Sequence, residues 1–324
     1  MESPRNVGKN GHPPVVVIAG PTASGKSALA AMLAERLAGV VVNADAMQIY
    51  RDLPILTAAP TLADRARAPH FLYGVLSASE RCTAGRWRDM ALAEIEAAHA
   101  YRRLPVLVGG TGMYLRALQE GLAPVPPIPP AIRERARARL AAIGGAGVYA
   151  ELAALDPEMA ARLSPRDTQR VLRAWEVREA TGRSLAEFQR ATQRTPTVRY
   201  ISLLLLPPRE VLYASIAKRC QAMVAAGALD EVRRLLSLGL DPALPAMKAV
   251  GVRELARQLA GEASAAESLG AFVEATRQYA KRQFTWFGHQ YAPAHIWDTQ
   301  YSESLWPEMF SIIRILIDAV PQSV

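Results

Sequence analysis

The eight residues Gly20-Pro21-Thr22-Ala23-Ser24-Gly25-Lys26-Ser27 follow the pattern G-x-x-x-x-G-K-[ST]. Residues of these types at this spacing bind phosphate. Successive backbone N–H groups of such a loop cradle phosphate oxygens, and the helix behind it adds the positive end of its dipole. There Lys26 neutralises a terminal phosphate and Ser27 offers a hydroxyl to Mg²⁺. A phosphate site does not name a reaction. The next chemistry-bearing run is Val42-Asn43-Ala44-Asp45-Ala46-Met47-Gln48-Ile49-Tyr50. Asp45 has three readings: general base, metal ligand or helix N-cap. No apolar strand ends in the Asp or Asp-Glu pair of a nucleotide-hydrolysing P-loop protein, which weakens an ATPase reading.

The elements that must position these residues are legible around them. Val15 to Ala19 is a short β-branched run, expected as a buried parallel strand before the phosphate loop. A helix is expected over Ala28 to Leu37 and a second strand over Val40 to Asn43, which sets Asp45 at the carboxyl edge of a sheet. Ligands bind at that edge in open α/β folds. A third strand is expected within His70 to Leu76. A fourth, Pro105 to Val108, runs into Gly109-Gly110-Thr111-Gly112. Strands alternating with helices give an α/β class, a P-loop NTPase-like, mostly parallel sheet flanked by helices.

The alternation stops at Pro124-Val125-Pro126-Pro127-Ile128-Pro129-Pro130, which can neither continue a helix nor pair in a central strand. The stretch that follows is helical in pattern and rich in arginine. Residues 131–200 hold 13 Arg, no Lys and 8 Asp plus Glu, so 13 − 8 = +5 of the chain's net +8. Tyr200 to Leu206 then returns to strand pattern, and helices are expected over Arg209 to Ala226, Leu229 to Leu238, Arg253 to Leu259 and Leu269 to Phe287. The expected organisation is a disordered leader over 1–13, a core from 14–123 and 200–324, and a helical insertion domain over 124–199.

With 324 residues, half of them hydrophobic, the chain can bury a sizeable core. No apolar run approaches the roughly 20 residues of a membrane span. Cys82 and Cys220 stand far apart without CxxC or Cys/His spacing, which excludes a common zinc site and a disulfide framework and fits a reducing cytoplasm. A pI near 9.7 suits a polyanionic partner.

Five segments, in order along the chain, resemble the tRNA dimethylallyltransferase family, also called tRNA isopentenyltransferase. They are Gly20 to Ser27; Asn43 to Tyr50; Leu107 to Tyr114; Asp167-Thr168-Gln169-Arg170 with Val171 to Glu176; and Lys281-Arg282-Gln283-Phe284-Thr285-Trp286-Phe287. The resemblance implies that the loop holds dimethylallyl diphosphate rather than ATP, with Mg²⁺ on Ser27. It implies that Arg219 faces the diphosphate, that Asp45 is the catalytic base, and that Thr111 contacts RNA near the target base. The last residue is equally an N-cap after strand four. The resemblance further implies tRNA contacts, to the anticodon stem-loop, from Asp45, Ala46, Met47, Gln48, Arg133, Gln169, Arg170, Val171, Leu172, Arg173, Lys248, Arg253, Lys281 and Arg282. A monomer and a bacterial-type enzyme are expected, the chain carrying no Cys₂His₂ extension. Two departures bear on local RNA contacts: Gly74 stands where an acid is expected, and Gly288 where Arg or Lys is expected. A P-loop kinase, an adenylate prenyltransferase and a nucleotide-gated RNA-binding protein are the alternatives, but neither of the first two needs the arginine-rich insert.

Overall fold

Val15, Val16, Val17, Ile18 and Ala19 have no polar face to turn to solvent, and all five are fully buried. They form the centre of a six-stranded sheet in a computed structural model that describes residues 13–192 and 198–319. The strands are β1 (Pro14–Ala19), β2 (Val40–Asn43), β3 (His70–Phe71), β4 (Pro105–Gly109), β5 (Arg199–Leu205) and β6 (His295–Trp297). All pairs are parallel, and the order is β3-β2-β4-β1-β5-β6. The helices, in chain order, are α1 (Lys26–Arg36), α2 (Leu62–Arg67), α3 (Ala84–Ala100), α4 (Gly112–Glu120), α5 (Pro130–Leu155), α6 (Pro157–Ala161), α7 (Thr168–Thr181), α8 (Leu185–Arg190), α9 (Arg209–Ala225), α10 (Ala228–Ser237), α11 (Val252–Leu259), α12 (Ala265–Gln290) and α13 (Trp306–Asp318).

Strand side chains alternate between faces, so each β1 residue feeds one of two apolar layers. Val15, Val17 and Ala19 pack with residues of α3, α4 and α9–α12, and Val16 and Ile18 pack with Leu29, Leu33, Met309 and Ile313 of α1 and α13. Register then brings the chemistry together. Ala19 lies opposite Gly109, and Asn43 opposite Val108. The turns that follow β1, β2 and β4 therefore emerge side by side at the carboxyl edge.

Residues 120–195 form a second compact unit, the first comprising 1–119 with 196–324. The second unit has its own core, in which Ala136, Val148, Leu152, Val171 and Ala174 are fully buried. Pro130 opens α5 at a first-turn position, where its missing N–H costs nothing. By length and composition Pro130–Leu155 resembles a membrane span, but Gly144, at φ 68°, breaks it into two shorter helices. Neither piece approaches the roughly 20 residues a span requires.

Three expectations need correction or a limit. The strand within His70 to Leu76 is two residues long. Leu72, at φ 63°, leaves the extended region, and Gly74, at φ 64°, follows it. At Gly74 a glycine takes a left-handed backbone at little cost, and its N–H donates to the Gln48 carbonyl at 3.0 Å. Edge strand β6 and helix α13 were not anticipated, although they complete one side of the sheet. Of the expected disordered leader, residues 1–12 lie outside the described residues.

Candidate active site

The turn after β1 carries the phosphate-binding residues. Its backbone is held from the C-terminal segment: Gln300 Nε2 donates to the Ala23 carbonyl at 2.8 Å, and the Tyr301 N–H to that of Ser24 at 3.2 Å. Gly25 caps α1 in the left-handed region, and Lys26 and Ser27 form its first turn. Lys26 Nζ reaches back to the Pro21 carbonyl at 3.2 Å. Burial pulls its pKa down to about 8, against the Asp45 carboxylate, which raises it; the Arg219 charge adds a smaller downward push.

Arg219 enters from α9 and donates through Nη2 to the Thr22 hydroxyl. Burial lowers its pKa as well, Cys220 and Asp45 opposing. Arg219 Nε and Ser24 Oγ are both buried without a hydrogen-bond partner. Buried donors without partners are costly unless a ligand satisfies them, so this pair suits an anion bound in the loop. Not every loop amide is available: the Thr22 N–H is already given to Gln283 Oε1 at 2.8 Å.

The Ser27 hydroxyl is exposed and has no protein hydrogen bond, and no group of three His, Cys, Asp or Glu suited to a metal is gathered among the described residues. A single hydroxyl fits Mg²⁺, which keeps several waters and takes the remaining ligands from phosphate. It does not fit a metal that demands an all-protein cage.

The acceptor end follows β2 and β4. Asn43 is fully buried and fixes the turn: its Oδ1 accepts from the Asp45 N–H at 2.8 Å, and its Nδ2 donates to the carbonyls of Asp45 and Leu72, both at 3.0 Å. Asp45 Oδ1 accepts from the Met47 N–H at 2.9 Å. The Thr111 hydroxyl accepts from the Ala46 N–H at 2.9 Å, while its carbonyl receives the Tyr114 N–H at 2.9 Å to open α4. Thr111 therefore positions the Asp45 turn, and only its backbone serves the helix. Tyr279 of α12 lines the same cavity as Asp45 and Thr111; burial and the Asp45 charge keep its phenol strongly protonated. Sequence reasoning assigns Asn43 and Tyr279 no role, and Gln283 enters only as part of the Lys281 to Gly288 segment that the resemblance implies contacts tRNA.

The two ends meet at one cavity of about 640 Å³, to whose wall the phosphate loop contributes Thr22. Its polar end holds Thr22, Arg219, Asp45 and Thr111, and Met223, Val250 and Phe272 line an apolar part. The glycines after β4 are required by close approach. A Cβ on Gly110 would stand 2.2 Å from Gln283 Nε2, and one on Gly112 2.3 Å from the Trp286 ring.

Of the expected RNA-contacting residues in this unit, Asp45, Ala46, Met47, Thr111, Lys248 and Arg282 line the cavity, whereas Arg253 and Lys281 are exposed outside it. Gln48 spends its Nε2 on the carbonyls of Thr57 and Ala58. In the second unit Arg133, Gln169 and Arg170 are exposed and Leu172 and Arg173 half-buried. Arg170 pairs with Asp167 at 3.3 Å and Arg173 with Glu176 at 3.5 Å. Val171 corrects an expectation: it is fully buried in that unit's core, so its side chain holds the helix and offers no surface to RNA.

A phosphate loop after β1, a carboxylate after β2 and a cavity joining them define a P-loop α/β protein equipped for group transfer from a phosphate-bearing donor. The family model of IPP transferase matches residues 48–290. This chain belongs to that family. It is 56% identical over 287 residues to the tRNA dimethylallyltransferase of Rhodospirillum centenum, covering 88% of this chain and 91% of the relative. Among solved structures it resembles a eukaryotic dimethylallyltransferase acting on tRNA, at a TM-score of 0.82 and 26% identity over 96% of this chain and 81% of the other. It also resembles the full-length tRNA isopentenylpyrophosphate transferase of Bacillus halodurans, at a TM-score of 0.67 and 30% identity over 94% and 96% of the two chains.

Proposed function

We propose that the protein transfers the dimethylallyl group of dimethylallyl diphosphate to the exocyclic N6 amine of the adenosine on the 3′ side of the anticodon in tRNA, releasing diphosphate. One observation carries this: Arg219, whose buried Nε has no partner, and the Asp45 carboxylate line the same cavity, where the turns after β1, β4 and β2 emerge side by side. The amine nitrogen forms a bond to C1 of the donor as the C1–O bond breaks, its electron pair leaving with the diphosphate. Lys26, Arg219 and Ser24 take up the charge that grows on the leaving group. Asp45 takes the amine proton, a role that typically contributes 10²–10⁴-fold in rate. Mg²⁺ held by the Ser27 hydroxyl, phosphate oxygens and water would supply further positive charge to the leaving diphosphate when bound.

An adenine inside a stacked loop is out of reach of a carboxylate in a cavity, so the base must be extruded. Lys248, Arg253, Lys281 and Arg282 at the core, and Arg133, Gln169, Arg170 and Arg173 on the helical insertion expected over 124–199, hold the anticodon stem-loop by this reading. The enzyme acts as a monomer in the cytoplasm.

The test is transfer from radiolabelled dimethylallyl diphosphate with Mg²⁺ and unmodified tRNA, beside ATP-only and free-AMP controls. Label is expected in tRNA alone. Label in AMP alone would make the protein a nucleotide prenyltransferase, and phosphate release from ATP without transfer would make it a kinase or ATPase.

A further inference from the structure

We infer that Gln283 is a positioning residue that holds the donor loop and the acceptor turn at one fixed separation, and that the rate of transfer depends on it. The inference rests on the function proposed above. One side chain of α12 spans both halves of the site. Its Oε1 accepts from the Thr22 N–H in the phosphate loop at 2.8 Å, and its Nε2 donates to the Gly110 carbonyl at 2.9 Å in the turn after β4. Thr22 in turn holds Arg219 through its hydroxyl, and the residue after Gly110 is Thr111, which holds the Asp45 turn. The amide thus links the leaving-group end of the cavity to the base end through two hydrogen bonds.

Two features set this apart from the satisfaction of an incidental buried amide. Gln283 is 6% exposed and both its partners are backbone groups of loops, separated from it by 261 and 173 residues. The Gly110 backbone also comes so near the amide that no side chain fits there, a Cβ falling 2.2 Å from Nε2. The contact uses the N–H of Thr22 within the phosphate loop. When it is lost, Thr22 is free to turn, Arg219 with it, and the donor carbon drifts from the amine. A misplacement of about 1 Å at reacting atoms costs on the order of 10²-fold in rate.

The experiment compares wild type, Gln283→Leu and Gln283→Glu in steady-state transfer to tRNA, with labelled-donor titration to count competent sites. Gln283→Leu is expected to lower kcat per competent site by about 10²-fold, with KM for both substrates changing far less. Gln283→Glu keeps the acceptor for Thr22 N–H but meets the Gly110 carbonyl with a second oxygen, which can donate only when protonated. Burial raises a carboxylate's pKa, so the activity of Gln283→Glu relative to wild type is expected to climb as pH falls from 8 to 6. The same ratio for Gln283→Leu should stay flat. Wild-type kcat per competent site in Gln283→Leu, or a flat ratio for Gln283→Glu, would overturn the role. An inactive wild type would instead overturn the proposed function.

Discussion

The two units carry their positive charge in opposite ways. In the core, Lys26 and Arg219 are drawn out of water, their pKa values fall, and among the described residues neither forms an ion pair. In the helical unit the arginines stand in solvent, and six of them face acids: Arg135–Glu179, Arg139–Glu151, Arg170–Asp167, Arg173–Glu176, Arg183–Glu187 and Arg190–Glu158. Exposed pairs of this kind contribute about 0–1 kcal/mol each. The core charges are strained by burial and gain most when an anion arrives. The helical unit's charges lose little when an acid is exchanged for a phosphate. On the proposed function, this difference separates specificity from grip: a buried site commits to one ligand, while a solvated arginine face adapts to a long polyanion.

The largest effects are expected in the core. Asp45→Asn removes the proton acceptor and should lower kcat by about 10²–10⁴-fold while donor and tRNA affinities stay within a few-fold; rate and binding measured together check this. Next comes pH. Lys26 sits near 8 without ligand and must be charged to bind diphosphate. Donor affinity should therefore be level below pH 8 and weaken as pH rises through it, by at most about tenfold per unit. Titration calorimetry across pH 7–9 reads this out, and Lys26→Ala should abolish the slope. Gly112→Ala should cost about 1–3 kcal/mol by driving a methyl into the Trp286 ring, seen as a lower Tm. The smallest effect belongs to the helical unit. Arg170→Ala should weaken tRNA binding modestly and reduce the salt slope by about one. A tenfold loss of donor affinity in that variant would erase the contrast.

Much of the core was legible because its signals are local. A β-branched run, a glycine loop and a helix lie within some twenty residues, so β1, the phosphate loop and α1 stand where the pattern puts them. Asp45 stands out in the sequence because it follows a strand, and the structure sets it after β2 on the cavity wall. What escaped is long-range. Nothing near Gln283 in sequence says that its amide meets Thr22 and Gly110, and nothing near Asn43 says that it pins Leu72. Strand β6 is three residues long, too short for any periodicity to register. His70 to Leu76 reads as a strand by composition, yet Leu72 turns its backbone left-handed and ends the pairing after two residues. Val171 shows the reverse failure: a motif segment borrowed whole carries core residues along with surface ones.

By the proposed function one cavity divides the labour, with the phosphate loop holding the donor and Asp45 receiving the proton of the acceptor. The most direct measurement preloads the enzyme with radiolabelled dimethylallyl diphosphate, chases with unmodified tRNA in a single turnover, and locates the label after digestion to nucleosides. Wild type and Asp45→Asn should load donor equally, and only wild type should pass label rapidly to the adenosine beside the anticodon. Equal transfer by Asp45→Asn, or its failure to load donor at all, would contradict that division.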